Sequence, residues 1–179
     1  ARAKEADLRA ICDALKDTVK LPTNGTVQYT AEFNKPKGWV ATNLPLCGIE
    51  PVGEYYDVAA KAPVFGRARF DYGILTADDE KLMRRRHPEY TPEKVQELLT
   101  LDQAEPLGDL MPCAAKPCKN GIHGYMYNFR FETMLDNIAV DAKFDYITTD
   151  VSGDKKSQYR TQAIEAFTAS MDVIVTGLQ

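Results

Sequence analysis

Two histidines, four cysteines and a few clustered charges are the residues of this 179-residue chain whose types could do chemistry. His87 follows Arg84, Arg85 and Arg86, and His123 stands between Gly121 and Gly124. A catalytic histidine needs a partner: a nucleophile it can deprotonate, or a second ligand that shares its metal. Neither histidine sits in a GxSxG, HExxH, P-loop or dinucleotide-binding pattern. His123 is therefore read as a turn or surface residue, no residue is assigned catalysis, and no cofactor is expected. The run Arg84, Arg85, Arg86 and His87 could meet phosphate or an anionic partner; cations closing a helix C-terminus, where they complement the helix dipole, are the reading adopted.

Asp136, Asn137, Asp141, Asp145 and Asp150 could offer hard oxygen ligands to Ca²⁺. Their spacing is not that of an EF-hand loop, so they are read as a solvated charged face and no metal is expected. Asn24, in "NGT", matches a glycosylation acceptor of secreted eukaryotic proteins. Trp39, Tyr125, Tyr127, Phe129 and Phe131 could line a ligand pocket, but the alternation of the last four favours core packing.

Cys12, Cys47, Cys113 and Cys118 show no CxxC or zinc-ligand spacing, which leaves disulfides or buried thiols. Two disulfides are expected, and with them an oxidising compartment. Cys113 and Cys118 enclose only "AAKP", so a short staple there would leave Cys12 for Cys47; this is one of three possible pairings.

The elements that must position these residues follow from hydrophobic periodicity. Leu8, Ile11, Cys12, Leu15 and Val19 recur at helical spacing, predicting an amphipathic helix over 2–20 that stops at Pro22 and Gly25. No Ser, Thr, Asp or Asn precedes it as a cap. Residues 26–33 alternate as a half-buried strand, 34–63 with four prolines read as an irregular excursion, and 64–75 return to alternation. Two short helices follow, "TADDEKLMRRR" and "TPEKVQELL", the second with Thr91 as cap and Pro92 at its first position. Residues 102–121 read as loop.

The strongest strand signal is 122–149, where two alternating runs joined by "LDN" predict an antiparallel hairpin. The tail 157–178 reads as a helix carrying Ile164, Phe167 and Met171, then a strand, "DVIVTG". One domain over 1–179 is expected, since a chain of this length can bury roughly 70 % of its unfolded surface. A net charge of −4 argues against nucleic acid as a partner. The longest apolar stretches fall well short of the ~20 residues that span a bilayer.

Ala1, Arg2, Ala3, Lys4, Glu5 and Ala6, followed by Leu8, Ala10, Ile11 and Leu15, resemble the middle of the long N-terminal helix of type IV pilins and type II secretion pseudopilins. The resemblance implies an α+β fold: a truncated helix over 1–21, the excursion 22–63, and over 64–179 a small antiparallel sheet with inserted helices and loops. Leu8, Ile11, Leu15 and Val19 would then hold the helix to the sheet. It also implies a structural subunit of an extracellular or cell-surface fibre, periplasmic before assembly, that serves adhesion, motility, DNA uptake or secretion. Its partners would be other subunits, met through an apolar helix half upstream of Ala1, which would also be the only membrane contact, and an adhesion target. Cys12 inside the helix departs from that family. The alternative expectation is a secreted, disulfide-bonded module that binds a ligand or receptor.

Overall fold

The structure is a computed structural model that describes residues 3–18, 28–33, 46–52, 56–57, 62–63, 68–76, 80–109, 123–148, 153 and 155–179. Helix and sheet are mixed, in an α+β arrangement. Helix α1 (Glu5–Thr18) leads into strands β1 (Gln28–Phe33), β2 (Leu46–Val52), β3 (Tyr56–Asp57), β4 (Ala62–Pro63) and β5 (Ala68–Thr76). A single helical turn, α2 (Glu80–Met83), and a 3₁₀ helix (Pro92–Leu98) precede β6 (Leu99–Asp109), β7 (His123–Leu135) and β8 (Ile138–Thr148). Helix α3 (Lys155–Gly177) closes the order.

Six strands form one antiparallel sheet in the order β1-β2-β5-β8-β7-β6, and β3 with β4 forms a separate two-stranded ribbon. The chain leaves β5 for the far edge at β6 and returns through β7, so that β8 pairs with β5 in the middle.

The β7–β8 hairpin holds its register from Leu135↔Ile138 to Tyr125↔Thr148 across the two-residue turn Asp136–Asn137. Asp136 takes a positive φ of 51°, a backbone state that Asp tolerates better than most residues. Side chains alternate from there. Tyr127, Phe129, Phe131, Ile138, Val140, Ala142, Phe144 and Tyr146 are buried in the main core, and α3 covers them with Tyr159, Ala163, Phe167, Met171 and Ile174. Phe131 stacks on Phe167 at 4.3 Å between ring centroids, and Tyr146 on Tyr159 at 4.8 Å. Such pairs add about 0.5–1.5 kcal/mol to the area they bury.

Helix α1 lies against β1, β2 and α3, with Leu8, Ile11, Cys12 and Leu15 buried. The side chains expected to pack it on the sheet thus also pack it on a second helix. Its start is not open. The Lys4 carbonyl accepts the first helical bond from the Leu8 N–H, and Asp7 reaches back to accept from the Lys4 N–H at 2.8 Å, which is half of a capping box. Asn137 then accepts from the Ala3 N–H at 2.9 Å and donates to the Ala3 carbonyl at 3.2 Å, with both residues buried. The expected helix over 2–20 therefore begins at Glu5, and the residue before its cap is tied to the β7–β8 turn.

Other expectations are corrected in the same way. The excursion 22–63 contains β2, and Pro51 fits that strand because it lies beyond the end of the β2–β5 ladder, where β2 has a partner on one flank only. The expected loop 102–121 is strand up to Asp109. Its Pro106 is accommodated at the sheet edge beside a register shift. The helix expected over 76–86 is only Glu80–Met83, since Thr76 still pairs with Ile138 in β5. Thr91 caps nothing with its side chain, and Lys94 breaks the helical dihedrals, so 92–98 is a 3₁₀ piece that buries Val95 and Leu98 three apart. The strand expected at 172–177 is the end of α3, because burial of Met171 and Ile174 on one helical face outweighs the β-propensity of the run. Val19, Cys113 and Cys118 lie outside the described residues, as do Asn24, Trp39 and Asp150.

At Gly177 a Cβ would stand 2.4 Å from Cγ1 of Ile11, a side chain that is itself buried. Gly177→Ala should gain about 0.5–1 kcal/mol of helix propensity and lose about 1–3 kcal/mol to overpacking. Net destabilisation is expected in urea unfolding, and the sign should reverse when Ile11 is first shortened to Ala; additive effects of the two changes would contradict this close approach.

Candidate functional site

On the face of the hairpin turned away from α3, the rungs run Arg130↔Lys143, Glu132↔Asp141 and Met134↔Ala139. Two carboxylates directly opposite on neighbouring strands repel each other, so the Glu132–Asp141 rung calls for a cation. The chain brings His87 to it. After α2 the backbone turns tightly: the Arg86 and His87 N–H groups both donate to the Met83 carbonyl, at 3.1 and 3.0 Å.

The next residues run along the end of β7 as a one-rung parallel bridge, Glu89↔Met134. Met134 N–H donates to the Pro88 carbonyl at 2.9 Å, Tyr90 N–H donates to the Met134 carbonyl at 2.8 Å, and the Thr133 hydroxyl donates to Pro88 at 2.8 Å. This short extended stretch straddles the sheet. His87 reaches the charged rung on one face, while Tyr90 meets Phe167 edge-on in the core on the other. Arg84 anchors the preceding turn by pairing with Glu89 and donating to the Asp136 carbonyl at 3.2 Å.

The His87 ring has two bonds. Nδ1 lies 3.2 Å from the Met83 carbonyl, which can only accept, so Nδ1 carries a proton. Nε2 lies 2.7 Å from Oδ1 of Asp141. With Nδ1 protonated and Asp141 ionised, that contact is a hydrogen bond when the imidazole is doubly protonated, which makes the pair an ion pair. Burial opposes this charge; the hydrogen bond to Asp141, the Asp141 charge, the Met83 carbonyl and the Glu132 charge together outweigh it and raise the His87 pKa above its ordinary 6.5. His87 is 6 % exposed, so water screens the pair little.

Glu132 is partly buried and forms no hydrogen bond or ion pair among the described residues. A ligand atom from each of His87, Glu132 and Asp141 lies within 4.8 Å of the other two.

Asp141 therefore leaves the solvated face on which the sequence placed it, and His87 is no mere helix-closing cation. Asn137 is buried as the clamp on Ala3, and Asp136 is exposed in the turn. Cys12 is disulfide-bonded and 1 % exposed; Cys47 lies in β2, one of the strands against α1. His123 opens β7, Tyr125 follows it there, and Asp145 lies in β8. Glu132 was missed. The signal that marks it is its distance from the two-residue turn, which equals that of Asp141 on the other strand.

No family model, curated protein or solved structure matches the chain.

Chemically, the His87 ring holds a carbonyl and a carboxylate, and none of the described hydroxyls or thiols is bonded to it. The arrangement can hold a positive charge between two carboxylates.

A raised histidine pKa contributes stability that is complete below the unfolded value near 6.5 and disappears as pH rises through the folded value. Unfolding free energy should therefore fall as pH rises from about 6.5 through the folded value, and the Tyr90 hydroxyl, which burial and then Asp172 and Glu93 hold above its ordinary 10.0, is not titrating at the start of that fall. Asp141→Asn should cost about 1.5–3 kcal/mol at pH 6 and flatten the profile; an unchanged profile would show that His87 is not the group responsible. Tyr90 also buries a hydroxyl without a partner among the described residues, so Tyr90→Phe should stabilise by about 1 kcal/mol in the same assay.

Proposed function

We propose that this chain is a non-catalytic, disulfide-stapled recognition domain that works outside the reducing cytosol. The observation that carries the proposal is the disulfide at Cys12, formed by a residue on the buried face of α1. Such a bond ties the N-terminal helix into the core and persists in oxidising compartments. The His87 ring is bonded to a carbonyl and a carboxylate and to no described nucleophile, which favours binding over turnover. The candidate recognition surface is the part of the hairpin face away from α3 around Arg130, which is exposed beside the partly buried Glu132, Asp141 and Lys143.

A second reading, the pilin-like fibre subunit, is favoured by the amphipathic α1 laid on one end of an antiparallel sheet. It requires a helix that runs continuously into α1 from an apolar half. In the structure α1 starts at Glu5 behind the Lys4 cap, and Cys12 on its buried face departs from that family. The recognition reading therefore takes precedence.

Peptide mapping of the natively expressed protein without reductant should find the Cys12 peptide cross-linked; a free Cys12 thiol would overturn an oxidising location. The encoded residues ahead of Ala1 separate the two readings. Some twenty apolar residues running straight into Ala1 would establish the fibre subunit, whereas an export signal with a small-residue cleavage site would support the recognition domain.

A further inference from the structure

We infer that His87, Glu132 and Asp141 form a binding site for a divalent transition cation of the zinc class, held by one imidazole nitrogen and two carboxylates. The inference goes beyond the recognition reading and does not rest on it.

Three observations converge. The Glu132–Asp141 rung places two carboxylates opposite each other on one face of a paired hairpin, the arrangement that a shared cation relieves. Glu132 is left without a hydrogen bond or ion pair among the described residues, although it stands beside an Asp–His pair that uses only one of the two acids. The His87 ring is oriented as a metal-ligating imidazole is: its Nδ1–H donates to the Met83 carbonyl, and Nε2 is turned to the carboxylates. A backbone acceptor on the far nitrogen is the usual device that fixes ring orientation at such sites.

The donor set selects the metal. Imidazole with carboxylates suits Zn²⁺ and its transition-metal neighbours, whereas Mg²⁺ and Ca²⁺ prefer oxygen alone. Ligand bonds of about 2.0–2.2 Å place donor atoms farther apart than the 2.7 Å of the His87–Asp141 contact, and the three donor atoms already lie within 4.8 Å of one another. Entry of the ion therefore opens the His87–Asp141 distance slightly, with the Glu132 carboxylate as the third ligand. The Nε2 proton leaves to solvent, and its positive charge is replaced by that of the metal. Three protein ligands leave a coordination position for water or for a donor from a bound partner. The Arg130↔Lys143 rung adjoins the site and sets its other boundary on the hairpin.

The test is titration of the oxidised protein with Zn²⁺ at pH 7.5 against a chromophoric chelator, with Mg²⁺ as the comparison ion. The wild type should bind a single Zn²⁺ and ignore Mg²⁺. Glu132→Gln removes no hydrogen bond of the fold and should weaken Zn²⁺ about tenfold or more in a chain that circular dichroism shows to be folded. His87→Gln should abolish binding wherever circular dichroism shows a folded chain, and the imidazole nitrogen resonance of His87 should shift on Zn²⁺ addition to the wild type. Absence of saturable binding by the wild type, or wild-type affinity in Glu132→Gln, would overturn the site. Failure here leaves the Cys12 mapping untouched, so this assignment and the recognition reading stand or fall separately.

Discussion

The register of the β7–β8 hairpin is the constraint on which the rest of this molecule depends. Because side chains alternate with a period of two, a slip of a single residue would exchange the two faces of both strands. The two-residue turn at Asp136–Asn137 prevents it by fixing Leu135 opposite Ile138. From that rung outward, Phe131, Phe144 and Tyr146 must face α3, and Glu132 and Asp141 must face the other way. The turn has a second role, since Asn137 uses both ends of its amide to hold Ala3. One local geometry thus sets the aromatic core, the charged rung and the position where α1 begins.

What the hairpin leaves incomplete, the segment from Met83 to Tyr90 supplies. Its backbone takes the end of β7 as a partner, and its side chains pass to both faces, Tyr90 to the core and His87 to the acids. A buried charge pair is a poor source of stability, because taking two charges out of water offsets most of their attraction. Here the pair compensates a repulsion already built into the sheet by two opposed carboxylates. A cluster of this kind is sensitive to anything that changes its charge, whether proton or metal ion.

Much of the fold was legible in the residues. The alternation at 122–149, the helical stripe of Leu8, Ile11 and Leu15, and the core role of Tyr127, Phe129 and Phe131 all follow from periodicity, which reports burial directly. Strands β2 and β6 were not legible. Pro51 and Pro106 argue against strands only where both flanks need donors, and the sequence does not say which flank is bare. The end of α3 was misread for a related reason: its β-branched residues favour a strand locally, while Ile174 is buried on the helix's core face.

The residues by themselves determined the periods, and through them which side chains of each element are buried, because the distinction between inward and outward faces is written every two or every 3.6 residues. Opposition of Glu132 to Asp141 also follows locally once the turn is set at Asp136–Asn137. Only the tertiary structure decided that His87 joins them and that Asn137 closes on Ala3, for these contacts link positions 54 and 134 residues apart. No local periodicity carries such a pairing. It exists because the chain crosses from β5 to the far edge of the sheet and returns, which carries the 83–90 segment past the end of the hairpin.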